Sequence, residues 1–315
     1  MPDVSLYPLK LQPTLHVKVW GGQKLAERLN KSLPTQEPYG ESWELHGSAS
    51  VLNGSLRGRN LAELTREFGE DLVGKGNDPD HGFPLLAKFI DANDWLSIQT
   101  HPNDVQARAL ENEPRGKTEA WVVLQADEGA QLVIGMQPGT SREQMSEAIG
   151  QNRLENLLVY AEVKAGDVLY IPANTVHALG PGILIYEIQQ SSDITYRLYD
   201  WGRLGLDGQP RELHIEKGIQ VCNLHALPQV EQPVGDLLID GEYFRTWRHE
   251  HEKDQLTIAS EGRFQALTCI AGNLLAEAAG HPPIELAVGE TGLIPACLNA
   301  FSLAGSGVVI RSCQR

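Results

Sequence analysis

Glycine and proline divide this chain into short apolar segments, and this spacing of turn residues limits the folds that it can adopt. The 315 residues include 31 Gly and 18 Pro, and few segments show apolar residues at helical spacing. Many short strands joined by turns are typical of all-β sandwiches and barrels. The sequence therefore predicts a mostly β protein whose helices are short insertions.

One block of sequence has a weakly similar counterpart later in the chain, which predicts two related units. Gly166 to His177 aligns with Gly289 to Ala300, and Pro172 then falls on Pro295. Such an echo predicts two jelly-roll units, the first over residues 1–230 and the second over residues 231–315. Because Ala300 stands where the first copy has His177, we expect the second unit to be degenerate, without a metal ligand there and with a structural role.

The first unit contains several predicted helical insertions, at about residues 60–75, 103–112 and 140–159. Asn60 with Glu63, and Thr140 with Glu143, have the spacing of capping boxes before apolar segments. Residues 205–235 are rich in turn-forming residues, and we expect them to form a linker.

Two predicted strands carry polar side chains of chemical interest. Phe83–Ile90 and Trp95–His101 read as the two strands of a hairpin. Alternation with period 2 places Gln99 and His101 on one face of the second strand. A third strand over Thr118–Gln125 places Glu119 on the same face as the preceding Lys117.

These side chains, together with His177, form a candidate metal-ligand set. Two imidazoles (His101 and His177), the Glu119 carboxylate and the Gln99 amide oxygen suit a borderline divalent cation such as Zn²⁺. The interior of a barrel is where inward-facing residues of neighbouring strands converge. The sequence thus predicts one Zn²⁺ per chain, with another divalent metal as an alternative.

The composition argues against nucleic acid and anionic membranes as partners, and it favours the cytoplasm as the compartment. The formal net charge of -15 repels nucleic acid and anionic membranes. A phosphorylated substrate would then require a local cluster of Lys and Arg to reverse the field. No apolar stretch is long enough to span a bilayer, and four widely spaced cysteines favour a reducing compartment, so we expect a cytoplasmic protein.

Several motifs resemble those of the type I mannose-6-phosphate isomerases in their short bacterial form, within the cupin superfamily. The block from Gly166 to His177 is similar to the second cupin motif, and Gln99-x-His101 with the later Glu119 is similar to the first. The more specific segments run in family order over about residues 8–215: PYGESWEL (38–45), LSIQTHPND (96–104), GKTEAW (116–121), IPANTVHALG (171–180) and QQSSDITYRLYDWGR (189–203).

The resemblance implies a fold, an activity and a set of site residues. It implies a cupin (jelly-roll) barrel that interconverts mannose 6-phosphate and fructose 6-phosphate through a cis-enediol or enediolate. Gln99, His101, Glu119 and His177 would hold zinc, Gln99 being the one that the short forms do not consistently include. Arg197 would be the catalytic arginine, and Lys117 would line the same pocket.

Other roles remain open at this point. Lys117 and Glu187 are both candidates for the proton-transferring base, and Glu187 and Trp43 are candidates for contact with the sugar. A cupin oxygenase is an alternative, because two His and one carboxylate also bind non-haem iron. A non-catalytic sugar-binding cupin is a second alternative. The protein is expected to be a monomer or a homodimer.

Overall fold

The computed structural model describes residues 5–252 and 255–315, and within them β-strands predominate. The strands are β1 (Leu9–Leu11), β2 (Thr14–Gly22), β3 (Tyr39–Leu45), β4 (Leu85–Ala92), β5 (Ile98–Thr100), β6 (Glu119–Ala126), β7 (Gln131–Met136), β8 (Leu158–Glu162), β9 (Val168–Ile171), β10 (Ala178–Leu179), β11 (Ile183–Gln190), β12 (Tyr196–Tyr199), β13 (Val230–Glu231), β14 (Leu237–Asp240), β15 (Phe244–Glu252), β16 (Leu256–Ala259), β17 (Gln265–Glu277), β18 (Ile284–Ala287), β19 (Thr291–Ile294) and β20 (Ala300–Gln314). The helices are α1 (Lys24–Leu29), α2 (Leu61–Phe68), α3 (Glu70–Val73), α4 (Asp104–Glu111), α5 (Arg142–Gly150) and α6 (Ile215–Val221).

A seven-stranded antiparallel sheet, here called the N-terminal sheet, forms the scaffold of the first unit. Its strand order is β13-β9-β6-β11-β4-β3-β2. Every residue of β4 and β11 is buried, so both faces of the sheet are covered. One face, the cavity face, carries Lys88, Trp121 and Glu187, which are cross-strand neighbours in β4, β6 and β11. This register places polar groups side by side within an otherwise apolar surface.

The opposite face of the N-terminal sheet packs against the C-terminal unit. Phe89 and Tyr186 belong to a core cluster that also contains Phe244 and Ile310 of the second large sheet. The Tyr186 hydroxyl lies 3.2 Å from the Ser312 hydroxyl in the same interface. Burial of aromatic side chains in such a shared core is the main force that holds two sheets together.

The C-terminal sheet has eight strands and includes the beginning of the chain. Its main path is β1-β19-β17-β20-β15-β14, with β16 paired to β20 and β18 paired to β17. By its position in the sequence strand β1 belongs to the first unit, but it pairs with a strand of the second unit. Leu9 of β1 lies opposite Leu293 of β19. In the part of the chain that the structure describes, neither large sheet closes on itself through hydrogen bonds.

The repeated block folds in the same way in both places. Strands β9 and β19 have the same position in the aligned block, and each follows a glycine with positive φ, 92° at Gly166 and 81° at Gly289. Glycine is favoured at both positions because other residues are strained in this backbone region. The two units therefore share this turn-and-strand element.

The predicted hairpin between Phe83–Ile90 and Trp95–His101 is wrong. Strand β4 pairs with β3 and β11, whereas β5 pairs with β12. After β4 the chain turns away, and the backbone N–H of Leu96 donates to the carbonyl of Leu179. Hydrogen bonds to a distant segment therefore outweigh the local turn signal.

Three further predictions require correction. The helical insertion predicted at about residues 60–75 is interrupted at Gly69, which leaves the helical region with φ of 50° and separates α2 from α3. Helix α5 is capped by Ser141 with Gln144 rather than by Thr140 with Glu143, a shift of one residue. The segment 205–235 contains α6, which packs against β12, and is not an irregular linker.

Among the described residues no helix is both long and apolar enough to cross a lipid bilayer.

Candidate metal centre and active site

Three buried side chains from separate segments meet beside the first residue of β6. His101 Nε2 lies 3.5 Å from Glu119 Oε2, and His177 Nε2 lies 3.2 Å from Glu119 Oε1. One possible ligand atom from each residue lies within 4.8 Å of the others. Two imidazole nitrogens and a carboxylate at this spacing are the donor set of many divalent-metal sites.

Backbone pairing brings these segments together. Gln99 and His177 form an isolated bridge in which each backbone N–H donates to the other's carbonyl, at 3.1 and 3.0 Å. His101 follows β5 directly, and the backbone N–H of Asn174 donates to its carbonyl at 2.7 Å. Asn174 has a φ of 73°, which asparagine tolerates better than most residues do. The turn before His177 is thus tied to the strand that carries His101.

Outer hydrogen bonds orient both imidazoles. His101 Nδ1 lies 2.8 Å from the carbonyl of Ile194, and His177 Nδ1 lies 3.0 Å from the carbonyl of Thr175. A carbonyl can only accept, so each Nδ1 donates and each Nε2 keeps a lone pair directed towards Glu119. This arrangement fixes the tautomer that binds metals through Nε2. His101 Nε2 is buried without a hydrogen-bond partner among the described residues.

The electrostatic surroundings keep these groups in their metal-binding protonation states. Burial opposes ionisation of Glu119, but the Lys117 ammonium is the largest opposing influence, and the pKa of this carboxyl is held well below the usual range. Burial, reinforced by the Lys117 ammonium, lowers the pKa of His101 well below 6.5. At neutral pH the site therefore presents a carboxylate and a neutral imidazole, as metal ligation requires.

A cavity of about 690 Å³ opens over the cavity face beside this centre. Its lining includes Gln99, whose amide Nε2 as placed lies 3.3 Å from His177 Nε2. Six cationic and six acidic side chains line it: Lys18, Lys88, Lys117, Arg197, Arg211, Lys217, Glu41, Glu111, Glu113, Glu187, Asp193 and Glu212. The cations thus cancel the local acidic charge rather than reverse it. A divalent ion held by Glu119 would leave the cavity with one net positive charge.

Glu187 lies at the centre of a buried polar row on the floor of the cavity. Its Oε1 is 3.1 Å from Lys88 Nζ and 3.9 Å from Lys117 Nζ, and its Oε2 accepts from Trp121 Nε1 at 2.8 Å. Burial and the nearby Glu119 raise the pKa of Glu187. Burial would lower the pKa of Lys88, but Glu187 and Glu41 outweigh it and raise that pKa. This row can hold protons and present charge to a polar ligand.

Arg197 lines the cavity from β12, the strand opposite Gln99. Its backbone pairs with Gln99, and its Nη1 donates to the Glu212 carbonyl at 2.7 Å. Its Nε is buried without a hydrogen-bond partner among the described residues. Burial and the neighbouring Arg211 lower the pKa of Arg197. The guanidinium keeps its charge at neutral pH and retains donors for a ligand.

Comparison with known proteins agrees with this geometry. Residues 8–120 match the family model described as phosphomannose isomerase type I, catalytic domain. A Streptococcus mutans protein named mannose-6-phosphate isomerase is 44% identical over 222 residues, which are 69% of this chain and 68% of that protein. The chain belongs to the type I phosphomannose isomerase family.

Solved structures of phosphomannose isomerases share the whole fold. The crystal structure of the Bacillus subtilis mannose 6-phosphate isomerase superposes with a TM-score of 0.87 at 31% identity, covering 97% of this chain and 99% of that one. A zinc-bound mannose 6-phosphate isomerase superposes with a TM-score of 0.76 at 16% identity, covering 98% and 99%. As in those phosphomannose isomerases, the fold is a mostly β cupin fold.

Trp43, which the sequence suggested for contact with the sugar, lies outside the cavity, and so does Arg115. Trp43 is not among the lining residues; it packs against His16, and its Nε1 donates at 2.7 Å to Glu41, which does line the cavity. Arg115 donates to the carbonyls of His81 and Gly82. Arg115 therefore ties two loops together away from the cavity.

Sequence reasoning missed one wall of the cavity. Helix α6 contributes Lys217, whose Nζ lies 2.7 Å from Glu111 Oε1, and the Tyr196 hydroxyl donates to the same oxygen at 2.7 Å. Arg211 and His214 complete this wall. Ile215 and Ile219 pack on an apolar core cluster, and their spacing of four was the only signal of a helix in this segment.

Proposed function

We propose that this protein is a metal-dependent aldose–ketose isomerase that interconverts mannose 6-phosphate and fructose 6-phosphate. The observation that carries the proposal is the convergence of His101, Glu119 and His177 beside a polar cavity lined by Lys117 and Arg197. The names of the relatives supply the substrate class. The cavity volume is within the range of small-molecule sites.

We propose Zn²⁺ as the metal, with His101, Glu119 and His177 as its ligands. The residues fit such an ion, because both Nε2 atoms face the Glu119 carboxylate and the outer nitrogens are engaged by carbonyls. Gln99 is the proposed fourth protein ligand, through its amide oxygen. The 3.3 Å separation from His177 supports this role once the two amide atoms are exchanged. When bound, zinc would polarise the sugar carbonyl as a Lewis acid.

The reaction moves a proton between C2 and C1 and passes through a negatively charged enediolate. Lys117 and Glu187 are the proposed proton-handling groups, and their side chains lie 3.9 Å apart. Burial and the nearby Glu119 raise the pKa of Glu187, which favours proton binding by this carboxylate. Lys117 is closer to the metal ligands, at 2.9 Å from Glu119 Oε2. We therefore propose that Lys117 acts at the reacting carbons and that Glu187 orients it and the sugar.

Arg197 is the proposed catalytic arginine. A permanently charged guanidinium at the cavity wall can stabilise either the enediolate or the phosphate group. Its free Nε supports a role in ligand binding. The additional cations on the α6 wall, Arg211 and Lys217, are candidates for the phosphate because a hexose phosphate needs a cationic group at one sugar length from the metal.

We also propose that residues 1–230 form the catalytic domain, with 231–315 as the degenerate cupin-like β domain to which β1 adds a strand. A cytoplasmic location agrees with the four cysteines, which are all free.

The decisive experiment measures metal content and turnover on the same purified protein. Elemental analysis should find one zinc per chain, and a coupled assay should detect conversion of mannose 6-phosphate to fructose 6-phosphate. Arg197→Ala should retain zinc and lose activity, with exposed Arg57→Ala as the matched control. Iron with oxygen uptake would indicate the oxygenase alternative. Zinc without turnover of any hexose phosphate would indicate a sugar-binding protein.

A further inference from the structure

The C-terminal sheet contains a second cavity, of about 460 Å³, that shares no lining residue with the catalytic cavity. Trp247 of β15, Arg311 of β20 and Leu267 of β17 form one row across the sheet. Leu267 belongs to the core cluster of the second unit rather than to the interface with the first unit. The cavity therefore lies on the inner face of the degenerate unit.

The lining of this cavity is strongly cationic. Among the described residues, its lining contains four arginines and one carboxylate side chain, Glu261; the arginines are Arg245, Arg263, Arg311 and Arg315. The chain as a whole has a formal net charge of -15, so a cluster of this sign runs against the average surface. A cavity lined by one sign of charge concentrates ions of the opposite sign.

Three of the four arginines have partners that neutralise only part of their positive charge. Asp240 Oδ1 lies 2.8 Å from Arg245 Nε and 3.6 Å from Arg315 Nη1, so two cations share one carboxylate. Arg263 Nη1 donates at 2.9 Å to the backbone carbonyl of Lys75, which is neutral. Cationic charge therefore remains for a ligand.

Arg311 is the most informative of the four because it is buried, with only 8% of its surface exposed. Its Nε donates to His249 Nε2 at 3.1 Å and its Nη1 to Gln265 Oε1 at 2.7 Å. Across residues 5–252 and 255–315, no carboxylate lies within salt-bridge distance of this guanidinium. Buried charges in proteins are normally paired, and an unpaired one is costly.

The orientation of Arg311 is fixed in advance of any ligand. Its guanidinium carbon lies 3.6 Å from the centroid of the Trp247 ring, a stacked arrangement. Stacking and the two hydrogen bonds hold the planar donor fork in one direction. A group held in this way loses little conformational entropy on binding.

We propose that this cavity binds a small phosphorylated molecule through its phosphate group, with Arg311 as the central ligand. A phosphate monoester carries close to two negative charges, which matches the excess of cations better than a single carboxylate does. Arginine forks bind phosphate oxygens in pairs. The cavity volume accommodates a phosphate with a small organic group. The inference does not rest on the proposed isomerase activity.

The test is calorimetric titration of the full-length zinc protein with inorganic phosphate. Wild type is expected to bind one more phosphate equivalent than Arg311→Met. Arg245→Ala, at the exposed rim, is expected to weaken this equivalent by about tenfold, the effect of one lost charge-assisted hydrogen bond. Arg248→Met is the matched control, since Arg248 lies on the same strand and pairs with Glu250 at 3.1 Å; it should bind as wild type does.

Two further outcomes decide the proposal. Phosphate should raise the unfolding temperature of Arg311→Met less than it raises that of wild type, each protein being compared with itself without phosphate. If wild type and Arg311→Met bind the same number of phosphate equivalents with the same affinity, the site is not a phosphate site. Loss of phosphate binding in Arg248→Met to the same degree would likewise overturn the assignment, because the effect would then reflect surface charge alone.

Discussion

Lys117 Nζ lies 2.9 Å from Oε2 of Glu119, a proposed metal ligand two residues later in the chain. Both side chains are buried, and Lys117 also faces Glu187 at 3.9 Å. The backbone N–H of Lys117 donates to the Pro102 carbonyl, which follows His101 directly. One short segment therefore holds a cation between the metal centre and the buried carboxylate row.

This position of Lys117 predicts that substitutions of Lys117 and of Glu187 change kcat and KM in different ways. Lys117→Met should lower kcat by roughly 10²–10⁴-fold, the usual range for loss of a proton-transferring group. Bound zinc should remain, because removing a cation near Glu119 does not weaken attraction for a metal. Glu187→Gln should raise KM more than it lowers kcat. Steady-state kinetics with zinc analysis checks both variants, and a Lys117→Met enzyme with unchanged kcat would exclude the role of Lys117.

The two histidines should be required for the metal itself. His101→Ala and His177→Ala should each lower zinc affinity by more than the roughly 10–100-fold that loss of an outer hydrogen-bond partner costs. His225→Ala is the control, because His225 is exposed and its imidazole takes no part in the centre. Competition with a chelator measures the affinities. Full zinc occupancy of His177→Ala at wild-type affinity would contradict the ligand assignment.

Zinc binding should also stabilise the fold. A ligand that binds only the native state adds about 4 kcal/mol when its free concentration is 1,000 times Kd. Removal of zinc from wild type should therefore lower the unfolding temperature, and calorimetry with and without chelator measures the shift. The same treatment should leave His101→Ala unchanged. A zinc-independent unfolding temperature in wild type would show that the centre holds no metal in solution.

The buried ion pair between Lys31 and Glu44 should contribute to the contact between the two units. Lys31 Nζ lies 2.6 Å from Glu44 Oε1, both are buried, and Lys31 also donates to the carbonyl of Gly289 in the second unit. Glu44→Leu alone should cost about 3–5 kcal/mol because it leaves a buried unpaired cation. Adding Lys31→Met should recover much of that loss.

A double-mutant cycle compares wild type, Glu44→Leu, Lys31→Met and the double variant. Urea unfolding of these four proteins gives the coupling energy between the two side chains directly. The exposed pair Arg59–Glu67, with its atoms 2.5 Å apart, is the control, and its disruption should cost less than about 1 kcal/mol. Equal losses in the buried and exposed pairs would mean that burial does not strengthen the Lys31–Glu44 interaction.

The sequence predicted the positions of individual strands better than it predicted which strands pair with each other. Strand β6 lies within one residue of the predicted strand Thr118–Gln125, because this apolar segment ends at the turn around Gly129. The pairing of β5 with β12 could not be read from the sequence, since it depends on hydrogen bonds between segments almost a hundred residues apart. Helix α6 was missed because only a few of its residues, such as Ile215 and Ile219, are apolar.

The sequence suggested the proposed site residues where a motif and the alternation of side chains along a strand agreed. Gln99 and His101 lie on one face of one strand, and the glycine–proline turn indicated His177, so the proposed metal-ligand set could be listed without coordinates. The partners of Glu187 were not, because the register that places Lys88 and Trp121 beside it is set by strand order. Strand order in a sheet is a tertiary property that alternation along one strand does not encode.

Asp91 should make stability depend on pH in a defined window. This side chain accepts from the backbone N–H of Lys24 at 2.7 Å at the start of α1, and burial raises its pKa to about 6 from 3.8. Because the folded state holds the proton more tightly, the contribution of Asp91 to stability is complete below about pH 4. It is lost as pH rises through 6, by up to about 3 kcal/mol.

Asp91→Asn should remove this dependence, because asparagine keeps an acceptor oxygen for Lys24 and has no charge to desolvate. The difference in free energy of unfolding between variant and wild type, measured with urea from pH 4 to 7.5, should grow as pH rises and then level off. Using the difference cancels the titration of other groups, which both proteins share. A constant difference between Asp91→Asn and wild type would mean that Asp91 ionises equally readily in the folded and unfolded states.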